Sequence, residues 1–390
     1  METLTKPAPP QETVRAGRPL VIAAVRAIPV ALPLSKPVRM SGVTIGHAYN
    51  LVVRVETKGG DVGWGEAASA PTMTGETLSG MVAAVEGVLA PALVGEDARF
   101  LPTLISRMQH AIYANTGPRA AIEMALLDLA GRANRVSFAD LLGGARRKSV
   151  SPMWLIGNAT AADDLAEAQA KYREGFRFFK LKIGVKTPDD DIQATLMLDK
   201  ALPSDSILCA DANMGLTRES ARRYLGGIAG SRMLYVEQPL PHADLEGLAM
   251  LAGATRIPIC SDEGIHSIAD IEANGRHGAR GVSLKFIKLG GVTEMMRAAQ
   301  LCDRLGMAVN VAGKIAESGI GSAANIQFSS AIREASWGVS LTHVYLDADI
   351  VRDRLEIVDG RMAVPAGAGL GLEVMEDRLR AVTMKNWSTV

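Results

Sequence analysis

The chain has 390 residues, and its 42 Lys plus Arg are balanced by 42 Asp plus Glu, so the formal net charge is zero. This balance excludes the overall basic surface that nucleic-acid binding requires. No run of about 18 apolar residues is present, which excludes a membrane-spanning helix on the sequence pattern. A hydrophobic fraction of 48% and a charged fraction of 22% are typical of a globular protein with one or two domains.

The N-terminus and the cysteines indicate the cellular setting. Residues 1–19 are polar, contain several prolines and lack the apolar run of a signal peptide, so we predict a disordered tail there. The chain has three cysteines, which are far apart and show no CxxC spacing. Disulfides and cysteine zinc sites are therefore not expected, and a cytoplasmic location is favoured.

Residues 20–147 predict an α+β domain. Two runs rich in β-branched residues, 21–25 and 50–55, are strand-like, and the turn residues 58–61 separate the second from 62–65, which predicts a hairpin. Helix-period segments follow, and residues 119–132 are so rich in Ala, Leu and Met that a helix is predicted.

Residues 148–355 alternate short apolar strands with amphipathic helices. The predicted strands are 150–156, 177–183, 207–211, 233–237, 258–262, 281–286, 308–312 and 337–341. Parallel strands need such crossovers, and eight units at roughly 25-residue spacing predict an α/β fold with a (β/α)8 barrel. A doubly wound sheet is the alternative, but no phosphate-binding glycine loop follows the first strand. Residues 356–390 are predicted to return to the first domain, which would then cap the barrel.

Charged and amide side chains stand at the ends of these otherwise apolar strands. In chain order they are Lys180, Lys182, Asp211, Asn213, Glu237, Asp262, Glu263, Lys285, Lys314 and Glu317. The spacings along the series Lys182, Asp211, Glu237, Asp262 and Lys285 are 29, 26, 25 and 23 residues, which gives one charged group per strand–helix unit. Because the carboxyl ends of barrel strands form one face, we expect these groups to converge there.

The three acidic residues Asp211, Glu237 and Asp262 would repel one another unless a cation lies between them. Hard oxygen ligands of this kind suit Mg²⁺, with Mn²⁺ as a substitute. Asn213 and Glu263 are expected to support the ligands from behind.

Lys182 and Lys285 are expected to flank this cation on opposite sides of the barrel mouth. A partly buried lysine close to other cations has a lowered pKa and can act as a base. Two such lysines would remove and return a proton on either face of a carbon next to a carboxylate, while the cation stabilises the enediolate.

These residues resemble the enolase superfamily, in its muconate lactonizing enzyme subgroup. Residues 62–66 (VGWGE) are similar to the GxGE segment of the capping domain, and residues 120–129 with 141–144 are similar to its capping helix and linker. Residues 180–182 (KLK) are similar to the KxK motif. The resemblance extends over nearly the whole chain after residue 20.

The resemblance implies roles for individual residues. Lys182 and Lys285 would be the acid/base pair, with Lys180 lowering the pKa of Lys182 and Lys288 peripheral. The metal ligands would be Asp211, Glu237 and Asp262.

Residues near the seventh and eighth strands bear on the substrate. No histidine follows the seventh strand, which disfavours the mandelate racemase subgroup, whereas Glu317 in ESGIG is similar to the acidic motif of muconate lactonizing enzymes. Asp347 in DAD resembles the Asp-x-Asp of dipeptide epimerases, although Tyr345 aligns with its first position. Lys314 would suit the second carboxylate of a dicarboxylate such as muconate. His47 and Tyr49 belong to a predicted lid, residues 37–49 and 69–77 of the first domain.

We therefore predict a Mg²⁺-dependent isomerase (a racemase, epimerase or cycloisomerase) acting on a small carboxylate. One alternative is β-elimination, as in a dehydratase or an o-succinylbenzoate-forming enzyme, and another is a non-catalytic scaffold that keeps the barrel. No nucleic-acid or membrane partner is expected, and the resemblance implies a homo-oligomer.

Overall fold

The computed structural model of the chain describes residues 17–40, 43–157 and 160–385. The predicted tail therefore lies outside the described residues up to residue 16, as do residues 41 and 42 of the predicted lid. Within the described ranges, no helix is both long enough and apolar enough to cross a membrane.

The first domain is built on a three-stranded antiparallel sheet in the order β1-β2-β3. The strands are β1 (Ile22–Met40), β2 (Val43–Thr57) and β3 (Val62–Ala68). The predicted hairpin is confirmed, since β2 pairs with β3 and the turn between them closes with Gly60 at a φ of 84°. Glycine adopts this left-handed conformation without the steric cost that a side chain would add.

Five helices complete this domain, which we call the cap. They are α1 (Leu78–Ala84), α2 (Ala90–Leu93), α3 (Leu101–Ala111), α4 (Thr116–Asn134) and α5 (Phe138–Leu141), with a π-helical turn between α1 and α2. Helix α4 is buried on nearly every side, as expected of a helix that is apolar all round. It lies directly on β3, because a Cβ atom at Gly65 would stand 1.9 Å from the carbonyl oxygen of Ala121.

The second domain is a barrel of eight parallel strands. After the short strand β4 (Ser149–Val150), these are β5 (Met153–Ile156), β6 (Phe178–Lys182), β7 (Ile207–Asp211), β8 (Met233–Glu237), β9 (Ile259–Ser261), β10 (Gly281–Leu284), β11 (Ala308–Ala312) and β12 (Val339–Ser340). Each strand pairs with the next in chain order, and a bridge between Pro152 and Val339 joins the first to the last. The predicted barrel is confirmed.

Helices surround the barrel on its outer side. They are α6 (Ala161–Arg173), α7 (Pro188–Ala201), α8 (Arg218–Gly227), α9 (Leu245–Ala254), α10 (Ile268–Arg276), α11 (Phe286–Leu289), α12 (Val292–Leu305) and α13 (Gly319–Ala331). Several begin at a threonine or serine whose hydroxyl accepts a backbone N–H of the first turn, as Thr160, Thr187 and Ser267 do. Such caps satisfy donors that have no partner inside the helix.

The last part of the chain contacts both domains. Strands β13 (Ile357–Val358) and β14 (Arg361–Ala363) form a small sheet with β4, and α14 (Glu376–Val382) follows. The backbone N–H of Leu370 donates to the Asp128 carboxylate of α4 at 2.8 Å, and that of Met384 donates to the carbonyl of Pro29 at 2.9 Å. Residues 386–390 lie outside the described residues.

Candidate active site

A cavity of about 640 Å³ lies at the carboxyl ends of the barrel strands, between the barrel and the cap. This volume is within the range of small-molecule sites. From the barrel it is lined by nine of the predicted residues: Lys180, Lys182, Asp211, Asn213, Glu237, Asp262, Glu263, Lys285 and Lys314. From the cap it is lined by His47 and Tyr49 of β2 and by residues 69–73.

Lys182 ends β6 beside Asp211, which ends β7, and the strand register pairs the two residues. The Lys182 ammonium donates to Asp211 Oδ2 and to Asn213 Oδ1, each at 2.6 Å. Burial opposes ionisation of Asp211, but the ammonium groups of Lys182 and Lys180 outweigh it and hold the pKa of Asp211 below its usual value. Asn213 also donates to Glu263 Oε1 at 3.0 Å, so it bridges two carboxylates.

Lys180 is two residues before Lys182 on the same face of β6. Its ammonium donates to Glu237 Oε2 at 2.5 Å, and Ser283 donates to Glu237 Oε1 at 3.0 Å. Burial lowers the pKa of Lys180, but Glu237 and Asp211 raise it further, so the pKa ends above its usual value. The charge of Lys180 is thus paired with the carboxylate of Glu237.

Lys285 follows β10 and directly precedes helix α11. Strand β10 ends at Leu284, two residues earlier than predicted, because this short helix begins at Phe286. The Lys285 ammonium donates to Asp262 Oδ2. Burial lowers the pKa of Lys285, but the carboxylates of Asp262, Glu263 and Glu237 together raise it, so the lowered pKa that the sequence predicted is not found in this arrangement.

Lys288 is not peripheral, contrary to the expectation from the sequence. It is fully buried, and its ammonium donates to Asp262 Oδ1 at 2.6 Å, to the carbonyl of Ser283 at 3.1 Å and to the carbonyl of Asp262. Residues three apart lie on one face of a helix, so the turn of α11 brings Lys288 beside Lys285. The two lysines together hold the pKa of Asp262 well below its usual range despite its burial.

The four carboxylates at the barrel mouth lie on neighbouring strand ends. Asp211 and Glu237 are direct partners across β7 and β8, and Asp262 directly follows β9. Among the described residues, no group of three His, Cys, Asp or Glu side chains has the arrangement of a metal site. Lysine ammonium groups contact the carboxylates of Glu237, Asp211 and Asp262.

The donor set nevertheless fits a hard divalent cation. Glu263 is buried, and its Oε2 has no hydrogen-bond partner among the described residues. Burial, and then Asp262 and Asp211, raise the pKa of Glu263 to about 7. A buried carboxylate oxygen that lacks a donor and stands beside other carboxylates is a group that Mg²⁺ or Mn²⁺ would satisfy.

Lys314 lies in the loop between β11 and α13 and differs from the other lysines. It forms no ion pair with a described residue, and its ammonium has only a 3.4 Å hydrogen bond to the carbonyl of Ile315. Burial, and then the charges of Lys285 and Lys182, lower its pKa to about 8.

Glu317 stands in the same loop but does not line the cavity. Its carboxylate accepts the backbone N–H of Lys314 at 3.1 Å and the Asn325 amide at 3.0 Å. Burial and the nearby Glu66 raise its pKa to about 8. The structure therefore places Glu317 behind the loop that carries Lys314.

Asp347 is not brought to the cavity. After β12 the chain makes a 3-10 turn, and the bridge between Leu34 and Leu346 carries it to the rim, where Asp347 is exposed. Its backbone N–H donates to the carbonyl of Pro33 at 3.0 Å. Asp349 instead accepts the backbone N–H of Gly319 at the start of α13. Asp347 is therefore not among the described residues that line the cavity.

A capped eight-stranded barrel with carboxylates and lysines at its strand ends is typical of the enolase superfamily. Residues 163–378 match the enolase C-terminal domain-like family, and residues 22–143 match the mandelate racemase / muconate lactonizing enzyme N-terminal domain. The chain belongs to the muconate lactonizing enzyme subgroup of this superfamily, and it is an enzyme of this isomerase family.

Relatives of known activity match over most of their length. The chain is 31% identical to chloromuconate cycloisomerase of Cupriavidus pinatubonensis over 92% of this chain and 98% of that protein. It is 30% identical to muconate cycloisomerase 1 of Rhodococcus opacus over 93% and 99%, respectively. The solved muconate lactonizing enzyme of Pseudomonas fluorescens with muconolactone superposes with a TM-score of 0.90 at 27% identity, covering 94% of this chain and all of that one.

Proposed function

We propose that the chain catalyses a divalent-cation-dependent cycloisomerisation, in which a dicarboxylate such as muconate and its lactone interconvert. The observation that carries the proposal is the placement of Lys182 and Lys285. Lys182 ends β6 and Lys285 directly follows β10; these strands are four apart in an eight-stranded barrel, so the two lysines lie on opposite sides of the cavity. Similarity to muconate and chloromuconate cycloisomerases supports the choice of reaction.

Asp211, Glu237 and Asp262 would hold the cation, supported by Glu263 and Asn213. A bound Mg²⁺ or Mn²⁺ would supply positive charge to the carboxylate of the substrate as negative charge develops on it. The hydrogen bond from Asn213 to Glu263 fixes the orientation of both side chains, which keeps the donors pre-organised.

Lys182 or Lys285 would transfer the proton at the carbon next to that carboxylate. In the lactone-forming direction, one carboxylate oxygen of the dianion adds to the double bond, and the electron pair of that bond moves toward the other carboxylate. The lysine ammonium then gives a proton to the α-carbon, and solvent restores the lysine proton. The dianion thus takes up one proton to give a monoanionic lactone.

Lys314 would bind the carboxylate that the cation does not. It is the lysine of the cavity with no ion-pair partner among the described residues, and it stands on a different element from the proton-transfer lysines. A buried charge without a partner is costly, so an anionic group of the substrate would satisfy it. His47 and Tyr49 would close the cavity from the cap.

Racemisation or epimerisation is the second candidate, because lysines on opposite sides serve both faces of a carbon equally well. The elimination alternative would use the same base and would be recognised by loss of water. The scaffold alternative is disfavoured by membership of an enzyme family with this set of lysines and carboxylates present.

The test is proton exchange in D₂O. Enzyme with Mg²⁺ is incubated with muconate, and NMR measures deuterium at the α-carbon of the lactone. We expect one deuterium per turnover with wild type and with the surface variant Lys200→Ala, and loss of incorporation when the proton-transfer lysine is replaced in Lys182→Ala or Lys285→Ala. If both variants incorporate deuterium as fast as wild type, the two-lysine assignment is wrong.

We also propose a cytoplasmic location and assembly into a homo-oligomer. The three cysteines are free and buried, which suits the reducing cytoplasm. Assembly into a homo-oligomer is checked by sedimentation velocity, where a single monomeric species at micromolar concentration would contradict it.

A further inference from the structure

The loop that carries Lys314, residues 313–318, is held on its barrel side by Thr342. The Thr342 hydroxyl donates to the carbonyl of Lys314 at 2.9 Å and accepts the backbone N–H of Glu317 at 2.9 Å. The carboxylate of Glu317 returns to the backbone N–H of Lys314. These bonds close the loop on itself but leave its outer side to the cap.

On that outer side, two fully buried cap residues contact the loop. Asn50 donates one amide hydrogen bond to Glu66 Oε1 at 2.7 Å and another to the carbonyl of Ala316 at 2.8 Å. Glu66 accepts the hydroxyl of Ser318 at 2.6 Å, its backbone N–H at 2.9 Å and the backbone N–H of Gly321 at 3.0 Å. We call Asn50 and Glu66 the cap clamp.

The cap clamp supplies negative charge to the first turn of α13, a helix of 13 residues. Helix N-termini present unpaired N–H groups and favour an anionic partner there. Burial raises the pKa of Glu66, but every described partner of its carboxylate is a donor, and these hydrogen bonds favour the ionised form. The negative charge at this helix start therefore comes from the cap through Glu66 and from the barrel domain through Asp349, which accepts the backbone N–H of Gly319.

The cap clamp also links the loop to the strand that faces the cavity. Asn50 directly follows Tyr49 on β2, and Tyr49 and His47 line the cavity. One strand thus contributes both cavity residues and the residue that fixes the Lys314 loop. The proton-transfer lysines differ, because Lys182 and Lys285 are held by the barrel residues Asp211 and Asp262.

We propose that Asn50 and Glu66 are positioning residues that hold Lys314 in the cavity, so that the cap fixes the receptor for the second anionic group of the substrate. The choice of muconate as the probe depends on the proposed function, whereas the placement of Lys314 does not. Loss of the clamp frees the loop and weakens recognition of the second charge, while the barrel keeps the proton-transfer groups in place.

The test compares Glu66→Gln and Asn50→Ala with a matched control, Glu123→Gln. Glu123 is another buried cap carboxylate that reaches across to the barrel, but it binds the backbone and hydroxyl of Thr293 at 2.8 and 2.6 Å, away from the Lys314 loop. Circular dichroism establishes that each variant folds. If Glu66→Gln does not fold, Asn50→Ala, which removes only one amide, decides the question.

The first readout is the affinity for muconate and for sorbate, in which a methyl group replaces one carboxylate of muconate. We expect Glu66→Gln to weaken muconate binding about tenfold, to leave sorbate binding within twofold, and to raise KM for muconate more than it lowers kcat. Glu66→Asp, which restores the charge, should recover part of the loss. The Glu123→Gln control should leave the muconate-to-sorbate ratio at the wild-type value.

The second readout needs no substrate. Lys314 is labelled with an amine-reactive reagent, and its modification rate is followed by peptide mass spectrometry. We expect the rate to change severalfold in both clamp variants and to stay at the wild-type value in Glu123→Gln. Unchanged labelling together with an unchanged muconate-to-sorbate ratio overturns the positioning role. If wild type binds no muconate, the proposed function fails, and labelling alone decides the role of the clamp.

Discussion

The floor and the rim of the cavity hold their charges in different ways. At the floor, formed by the ends of β6 to β10, Lys180, Lys182, Lys285 and Lys288 each donate to a carboxylate. At the rim, Lys314 pairs with no carboxylate among the described residues. The floor thus combines lysines and carboxylates, as proton transfer and cation binding require, whereas the rim presents a lysine suited to recognition of an anionic group. Variants of the two regions should separate turnover from selectivity.

The largest effect is expected at the floor. Lys285→Ala removes a proton-transfer group and leaves Asp262 paired with Lys288, so kcat should fall about 10²- to 10⁴-fold with muconate affinity changed much less. Steady-state kinetics of wild type, Lys285→Ala and the surface variant Lys200→Ala measure this. A variant that kept kcat within threefold of wild type would place the chemistry elsewhere.

The rim variant Lys314→Met should act on selectivity. Loss of one charge-assisted hydrogen bond is worth about 1.5–3 kcal/mol, so muconate should bind roughly 10- to 100-fold more weakly. Sorbate lacks the second carboxylate and should bind the variant as it binds wild type. Isothermal titration with both ligands measures the contrast, and an equal loss for both would remove the distinction between floor and rim.

Packing of the cap should affect the rim more than the floor. In Gly65→Ala the new Cβ would collide with the Ala121 carbonyl oxygen, and β3, which carries Glu66, would have to move. Overpacking of this kind costs about 1–3 kcal/mol of unfolding free energy, measured by urea denaturation. Among the folded molecules, we expect the muconate-to-sorbate preference to fall while sorbate affinity is kept. A fall in sorbate affinity with an unchanged muconate-to-sorbate preference would contradict the dependence of the rim on the cap.

The smallest effect is a pH dependence of that preference. Burial, Lys285 and Lys182 lower the pKa of Lys314 to about 8, while Glu317 and Asp262 oppose them. The ammonium is present below this pH and is lost above it. The affinity ratio of muconate to sorbate should therefore be constant below about pH 7 and decrease toward pH 9, and Lys314→Met should abolish the trend. The ratio is used because a titration that changes both affinities equally cancels in it.

The floor could be predicted from the sequence because a barrel repeats one unit. Strand ends spaced by 23–29 residues place Lys182, Asp211 and Lys285 on one face without any knowledge of distant contacts. The sequence does not predict the burial of Lys288, because helix α11 begins directly after Lys285, where the pattern predicts that the strand continues. The carboxylates that the pattern predicts as metal ligands also contact lysines; burial lowers the pKa of Lys285, but these carboxylates raise it above its usual value.

The rim could be predicted only in part. Lys314, His47 and Tyr49 line the cavity as expected, but Asp347 does not, because its position depends on a bridge to β1 far away in the sequence. The cap clamp shows no local pattern either, since Asn50 and Ala316 meet only after both domains fold. The sequence shows Glu66 only as the last residue of the VGWGE segment, and its hydrogen bonds with Asn50, Ser318 and Gly321 are seen only in the structure.

The hydrogen bonds that join Glu66 and Asn50 to residues 316–321 also determine which segments can be exchanged between related enzymes. A chimaera that joins the cap of one relative to the barrel of another would combine Asn50 and Glu66 from one parent with residues 316–321 from the other. Residues 313–321, which follow β11, would then have to come from the same parent as the cap, although they belong to the barrel in sequence and in fold. Chimaeras of such enzymes should thus keep a defined substrate specificity when the cap and residues 313–321 come from one parent.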